Sequence, residues 1–219
     1  MNMTVLTRRL AWLVLPVAAT PAALEAQACL GFGGTGFLSG SGAVWRESSE
    51  DVRGFGGSAG LDLGLVAASG HYLKFSGSDE FDQEFDFEDM RANVALKLPL
   101  PFLSLCPVAT VGTGAVLSRN FDDLPYKSET VYGGGVGAGI RFGAPASGLA
   151  VIPSLLVSVE NYSVERLYDD IVEGDREFSA VVRAGVTIEV GSLHVRPHAV
   201  LTTADDSYLL GGVLLGITF

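Results

Sequence analysis

Apolar residues alternate with small or polar residues along most of this 219-residue chain. Between Phe178 and Val190, every even position holds Phe, Ala, Val or Ile, whereas the odd positions include Ser, Arg, Gly, Thr and Glu. The segment 90–98 repeats this pattern, with Arg91 and Lys97 on its polar side. Because successive side chains of a β-strand point to opposite faces of the sheet, this period of two predicts strands with one apolar and one polar face.

The alternation divides the chain into ten strands. Many have ten residues or more, which exceeds the ~5–6 residues usual in globular sheets and approaches the ~9–11 residues of strands that cross a membrane. The predicted strands cover residues 30–45, 55–68, 71–78, 88–98, 104–118, 130–143, 149–160, 177–190, 193–202 and 208–219. Short connections are predicted at Ser69-Gly70, 99–102, 144–148 and Gly191-Ser192, and long connections at 46–54, 77–87, 119–129, 161–176 and 203–207.

The second face of these strands consists mainly of Gly, Ala, Ser and Thr with scattered basic residues, whereas a soluble sandwich would carry solvated charge there. A closed membrane barrel has this pattern, with its apolar face toward lipid, its small and polar face toward a lumen, short turns at one end and long loops at the other. Counting strand margins, 22 of the 24 acidic residues after position 28 fall on the long-connection side. The predicted fold is therefore an all-β, closed antiparallel transmembrane β-barrel of ten strands. Eight strands is the alternative, if the third and ninth strands are too short to span.

The beginning of the chain has the pattern of a secretory signal peptide. Arg8 and Arg9 precede an apolar run that is shorter than the ~20 residues of a membrane-spanning helix, and Ala26-Gln27-Ala28 follows it as a cleavage pattern. We therefore expect a signal peptide over residues 1–28 and one barrel domain over residues 29–219. A retained membrane anchor and acylation of Cys29 are the alternatives.

Net charge and cysteine content indicate which classes of partner and which cellular compartment are compatible with the sequence. Residues 29–219 contain 12 lysines and arginines and 24 aspartates and glutamates, because Arg8, Arg9 and Glu25 precede them. The resulting charge of −12 repels phosphate and disfavours nucleic acid as a partner. The two cysteines, Cys29 and Cys106, are expected to form a disulfide outside the cytoplasm. Two separate thiols are the alternative, because their predicted strands are not neighbours.

The chain ends inside a predicted strand, on an aromatic residue. Leu209, Val213, Leu215, Ile217 and Phe219 share its apolar face, and Tyr208 lies on the other face. A signal peptide followed by alternating strands and a terminal phenylalanine resembles the bacterial outer-membrane β-barrel proteins.

This resemblance implies a small barrel of the OmpA or OmpX type, integral to the bacterial outer membrane and in contact with outer-membrane lipid and lipopolysaccharide. It also implies that the barrel-assembly machinery recognises the terminal strand during biogenesis. The residues that would form this assembly signal are Tyr208, Leu215, Ile217 and Phe219.

The alternation places a set of charged residues toward the lumen, together with His194 and His198. A buried polar network that holds the strands together is one interpretation, since unpaired charges are costly there. A narrow passage with net positive charge is the other, and inward glycines such as Gly137 and Gly139 make room for long side chains or water. The charged residues predicted to line the lumen are Asp62, Lys74, Arg91, Lys97, Arg141, Arg183, Glu189 and Arg196.

No catalytic, cofactor or metal site is predicted, and the protein is not expected to be an enzyme. Hydrolysis by a small outer-membrane barrel would need a histidine near the outer rim, whereas His71, His194 and His198 each follow a predicted short turn. The acidic segment 78–90 could attract hard cations, but it lacks the glycine turn of an EF-hand loop. Phe85 and Phe87 share the register of Arg91, which predicts a bulge near Glu88 or rings folded over the mouth.

The function predicted from the sequence is therefore that of an integral outer-membrane barrel with acidic extracellular loops and a structural or surface-interaction role. A narrow, porin-like pore that prefers anions is the alternative, and an outer-membrane hydrolase is a weaker one.

Overall fold

The computed structural model describes residues 28–46, 51–78, 84–100, 103–118, 127–143, 148–168, 171–203 and 208–219. One antiparallel sheet contains nearly all of them, and the described residues include a single 3₁₀ turn at Ala28–Leu30. No helix in these ranges is long and apolar enough to cross a membrane. The strands are β1 (Gly36–Arg46), β2 (Asp51–Asp62), β3 (Val66–Ser78), β4 (Glu84–Leu96), β5 (Leu98–Pro99), β6 (Ser104–Ser118), β7 (Lys127–Gly139), β8 (Leu149–Tyr168), β9 (Ile171–Val190), β10 (Leu193–Thr203) and β11 (Tyr208–Thr218).

The sheet closes on itself as a barrel. β1 pairs with β11 from Phe37 opposite Thr218 to Trp45 opposite Leu210, and β4 pairs with β6. The two-residue β5 only adds to one rim beside β6, which leaves ten long strands around the ring. This confirms the all-β, ten-stranded antiparallel barrel. The eight-stranded alternative is wrong, because β3 has 13 residues, β10 has 11, and each pairs with two neighbours along its length.

Side-chain exposure follows the alternation of the sequence, with the apolar face outward. On β9, Phe178 and Val190 are 73% and 60% exposed, whereas Val181 and Thr187 are buried. On β4, Met90 is exposed and Arg91 is buried. This is the reverse of a soluble protein, in which charged residues are rarely buried and apolar ones fill the core.

Two connections mark one rim, which we call the turn end; the opposite rim is the loop end. β9 and β10 are joined at the predicted Gly191-Ser192, where Gly191 has φ of 62°. The predicted turn at Ser69-Gly70 is wrong, because both residues lie inside β3 and the chain turns at 63–65 instead. Gly64 has φ of 87° there, a conformation that glycine adopts without steric cost.

The longest predicted loop is also wrong in part. Residues 161–176 were expected to be a connection, but β8 and β9 have 20 residues each, and their ladder runs from Leu149 opposite Val190 to Tyr168 opposite Ile171. Backbone hydrogen bonds form such a ladder whatever the side chains are. The apolar alternation stops near residue 160, so that the outer half of this hairpin has no signature of a membrane strand.

The ladder between β3 and β4 continues through Glu88 without interruption and places Phe87 opposite Phe75 and Phe85 opposite Gly77. The bulge proposed near Glu88 is therefore wrong. Residues 79–83 of the predicted acidic loop lie outside the described part of the chain, as do residues 1–27 of the expected signal peptide.

Candidate functional site

At the turn end the chain's own residues Ala28–Thr35, which we call the plug, enter the lumen. Ala28, Cys29 and Phe32 are each 3% exposed or less. The first strand was predicted to begin at residue 30, which is wrong, because β1 begins at Gly36; residues 31–33 are buried inside the barrel, and Thr35 is exposed. Phe32 stacks on the ring of Phe37, the second residue of β1, with centroids 3.6 Å apart.

Arg196 of β10 holds the middle of the plug. Its Nη1 donates to the carbonyl of Leu30 at 2.9 Å, and its Nη2 donates to Ser154 Oγ of β8 at 3.1 Å. The guanidinium carbon lies 4.9 Å from the centroid of the Phe32 ring, a cation–π distance. His194, two residues earlier on β10, meets the edge of the same ring at 5.5 Å. Both residues were predicted to face the lumen, and in the structure they contact the plug.

Strand β9 binds the next residues of the plug. Glu189 Oε1 accepts a hydrogen bond from the backbone N–H of Gly33 at 3.0 Å, and Glu189 Oε2 lies 3.2 Å from Arg141 Nη1. The hydroxyl of Thr187 donates to the carbonyl of Gly31. Three backbone polar groups of the plug, in Leu30, Gly31 and Gly33, are thus hydrogen-bonded to side chains of the wall, as is usual for buried polar groups.

Two inward glycines of β7 leave space for the plug. A Cβ atom added to Gly137 would lie 2.8 Å from the carbonyl oxygen of Cys29, and one added to Gly139 would overlap the carbonyl of Ala28. In the sequence these glycines were expected to make room for basic side chains or water. In the structure they admit a segment of backbone, which a strand with larger side chains would exclude.

A disulfide joins Cys29 to Cys106 with their Cα atoms 6.1 Å apart. Cys29 was expected on the first strand and instead lies on the plug, and this explains how it reaches β6. In the ring, three strands separate β1 from β6 on one side and five on the other. The plug therefore crosses the lumen from β1 to the opposite wall.

A second layer of contacts lies in the middle of the lumen, and we call Asp89, Arg91, Glu160 and Arg183 the charge network. Arg91 of β4 binds Asp89 at 2.8 Å through Nε and binds Glu160 of β8 through Nη1. Arg183 of β9 binds the other oxygen of Glu160 at 2.7 Å. Glu160 is 0% exposed, and its two ion pairs connect β8 to β4 and to β9.

Three further side chains complete the hydrogen bonding of this network. Ser158 and Tyr162 donate to the two oxygens of Glu160, each at 3.0 Å, and His71 Nε2 lies 3.3 Å from Asp89 Oδ2. Nearer the turn end, Lys97 forms a separate ion pair with Asp62. A buried charge that is paired and fully hydrogen-bonded is tolerated in a protein interior.

The sequence prediction did not place three residues of this network in the lumen, namely Asp89, Glu160 and His71. The signal for the first two was present, because Asp89 shares the register of Arg91 and Glu160 shares that of Ser158 on the polar face of its strand. Both residues lie at the ends of predicted strands, where the sequence prediction places the acidic residues at the loop end. With them, five inward cations face four inward acids among the described residues, so the predicted excess of positive charge is nearly absent. The cations are Arg91, Lys97, Arg141, Arg183 and Arg196, and the acids are Asp62, Asp89, Glu160 and Glu189.

Lys74 is the one predicted lumen residue that lies on the outer face. It is directly opposite Phe55, which is 65% exposed, and its Nζ lies 3.2 Å from Glu88. The charge is tolerated outside because this pair lies toward the loop end, beyond Tyr72 and Met90 of the apolar surface.

His71 also lies elsewhere than expected. It is in the middle of β3, opposite Ser58 and Arg91, and not beside a turn. A serine nucleophile needs a hydrogen bond to its histidine base, and no such bond joins Ser58 to His71 in the described part of the chain. The Ser58 hydroxyl lies 2.6 Å from that of Ser39 instead. Nor do any three His, Cys, Asp or Glu side chains in these ranges group to hold a metal ion.

Glu160→Gln is expected to destabilise the barrel by on the order of 3 kcal/mol, because it leaves Arg91 and Arg183 without their shared counter-charge. Urea unfolding in lipid vesicles measures this change. Glu88→Gln is the matched control, because its partner Lys74 is on the outer face, and it should cost no more than ~1 kcal/mol. Equal losses for the two variants would contradict the central role of Glu160.

No protein-family model matches the sequence, and no curated protein matches it. Solved structures with a similar fold include the N-terminal β-barrel domain of Pseudomonas aeruginosa OprF, at 13% identity over 85% of this chain and 98% of that chain with a TM-score of 0.37. The translocator domain of the autotransporter NalP from Neisseria meningitidis matches at 12% identity over 85% and 88%, with a TM-score of 0.44. The β-domain of the Bordetella autotransporter BrkA matches at 12% identity over 85% and 99%, with a TM-score of 0.45. The structures that this chain resembles are bacterial outer-membrane β-barrels, and it is itself a closed ten-stranded barrel.

Proposed function

We propose that this protein is an integral outer-membrane β-barrel with a closed lumen, which acts as a structural element of the membrane and presents an interaction surface outside the cell. The observation that carries this proposal is the filling of the lumen. The plug crosses it at the turn end, and the charge network joins β4, β8 and β9 across its middle.

The outer surface supports a membrane location. The outward residues of β9 are apolar from Phe178 to Val190, and 12 steps of ~3.3 Å at a tilt of ~40° give a band about 30 Å tall. Outer-membrane barrels have an apolar band of ~25 Å between two girdles of aromatic residues. The exposed aromatic residues at the two edges of this band are Phe55, Tyr72, Tyr132 and Phe178 toward the loop end, and Phe142 and Phe219 toward the turn end.

The β8–β9 hairpin supports the interaction role. β9 pairs with β10 only as far as Ala180 opposite Thr203. In the described part of the chain, no strand pairs with that edge of β9 from Ile171 to Ser179, while β8 covers the other edge. Unpaired strand edges bind extended segments of other chains. With the short turns in the periplasm, this edge is on the outside of the cell.

The membrane location predicts a depth-dependent cost of charge on the outer face. Leu155 lies opposite Ala184, in the middle of the apolar band, and Leu155→Arg should destabilise the barrel in vesicles by ~2–4 kcal/mol. Leu149→Arg is the matched control, because Leu149 lies opposite Val190 at the edge of the band, where the cost falls to ~0–1 kcal/mol. Equal tolerance of both substitutions would contradict membrane insertion.

The closed lumen predicts that the protein does not conduct. In planar lipid bilayers the wild-type barrel should give no steady current, because the plug and the ion pairs leave no continuous water path. The anion-preferring pore is the competing function. A steady chloride-selective current that Arg141→Glu abolishes would establish the pore and contradict the structural role.

We also propose that the terminal strand is the signal read by the barrel-assembly machinery. Leu215, Ile217 and Phe219 are exposed on the outer face, while the side chain of Tyr208 lies outside the described part of the chain. The backbone of Phe219 exchanges hydrogen bonds with Gly36 at 2.8 and 3.0 Å, so a test must keep the residue in place.

Phe219→Ala keeps these backbone bonds and removes the ring. Its effect on refolding into detergent should be limited to part of the ~1.5–3 kcal/mol of a buried large apolar side chain, while insertion in cells should fall severely. Heat-modifiable gel mobility of the membrane fraction measures insertion. Equal defects in the two assays would show that the ring only packs against lipid.

A further inference from the structure

We propose that Cys29 and Cys106 are oxidised before the barrel closes, so that the unassembled chain is the substrate of a protein thiol–disulfide oxidoreductase and the assembled barrel is not. The observation is the position of the disulfide. Cys29 is 1% exposed and Cys106 is 0% exposed, and both face the lumen.

Apolar side chains and backbone surround the two sulfur atoms. Ala67 of β3, Ala95 of β4, Val108 of β6 and Leu156 of β8 pack with the cysteines in one buried cluster, and Leu30 of the plug packs against it. Three of these residues come from the adjacent strands β3, β4 and β6, and Leu156 comes from β8, two strands further around the ring. The cluster therefore forms where this arc of the wall curves around the plug.

No route of protein size leads to the disulfide in the closed barrel. The wall of the barrel is continuous at Cys106. Cys106 pairs with Gly137 of β7, and the adjacent Leu105 pairs with Leu98 of β5. The plug occupies the turn end. Toward the loop end, Arg91 and Arg183 meet at Glu160 across the lumen.

The chemistry of oxidation requires such a route. One cysteine thiolate attacks the disulfide of the oxidant, forms a mixed disulfide and releases one thiolate of the oxidant; the second cysteine thiolate then attacks the mixed disulfide and releases the other. Overall, the two thiols lose two electrons and two protons, and the oxidant's disulfide becomes a dithiol. The mixed disulfide attaches a whole protein to Cys29 or Cys106, for which the closed lumen has no space. Oxidation must therefore come first.

Early oxidation also has a consequence for assembly. The disulfide closes a loop over 77 residues of separation that includes β1, β2, β3 and β4. It places the plug against β6 while β1 and β11 are still apart. The seam between β1 and β11 then forms around a plug that is already inside.

The test compares the reduced full-length chain in two states, unfolded in urea and refolded in lipid vesicles without oxidant. Each is mixed with a purified, oxidised thioredoxin-fold oxidase, and free thiols are counted by alkylation over time. Because access requires opening of the barrel, we expect oxidation of the folded chain to be slower by on the order of 100-fold or more. Similar rates for the two states would overturn the proposal. A reduced chain that folds only after oxidation would support it directly, since oxidation then precedes closure.

A control variant shows that the oxidase reaches folded protein in the same vesicles. Cys29→Ser and Cys106→Ser remove the native thiols, and Ser192→Cys adds one in the exposed turn between β9 and β10. This thiol should form a mixed disulfide with the oxidase at the same rate in both states.

In cells, pulse labelling with alkylation should show the disulfide before the heat-modifiable folded form. Accumulation of folded protein with free thiols would overturn the proposal.

Discussion

The structure depends on the seam between β1 and β11. Until these strands pair, each presents a row of unsatisfied N–H and C=O groups, and each such group costs several kcal/mol in a lipid environment. Pairing from Phe37 opposite Thr218 to Trp45 opposite Leu210 removes both edges at once. It also separates the two faces of the sheet into an outer surface and a lumen. The buried ion pairs and the plug have their present surroundings only because this seam exists.

Closure makes the lumen a place where charge must be balanced. Arg91, Glu160 and Arg183 come from β4, β8 and β9, which are far apart in sequence, and their side chains meet because the ring is small. Ser158 and Tyr162 satisfy the remaining oxygen lone pairs of Glu160. Removing one member would leave the others buried without a counter-charge, which costs more than the pair contributes. The network therefore fixes the relative position of three strands more than it adds to overall stability.

The plug lies at the opening of the barrel at the turn end. Side chains of β8, β9 and β10 hydrogen-bond to the plug or to the arginine that holds it, and β7 offers it glycines in place of side chains. The disulfide attaches it to β6 on the far wall. The plug is thus in contact with five neighbouring strands of the ring, from β6 to β10.

The sequence by itself determined the barrel, its strand number and the outward direction of its apolar residues. These features follow from the period of two, which is local and recurs along the chain, as between Phe178 and Val190. Of the eight charged residues that the sequence places in the lumen, seven face it in the structure, whereas Asp89 and Glu160 were not predicted. Lys74 was misassigned because the apolar alternation weakens toward the loop end, where charge is tolerated on either face.

Only the tertiary structure decided what fills the lumen. Residues 30–35 continue the composition of a strand, and nothing local shows that they leave the wall at Gly36. Their position results from contacts with Arg196, Glu189 and Cys106, all more than 70 residues away in the chain. The partners of Glu160 likewise depend on how far each strand is staggered around the ring. The alternation predicts which face of the sheet a residue occupies. Whether two inward residues meet depends on their positions along the barrel axis, and these positions are set by strand register and barrel closure. The sequence of a single strand does not contain this information.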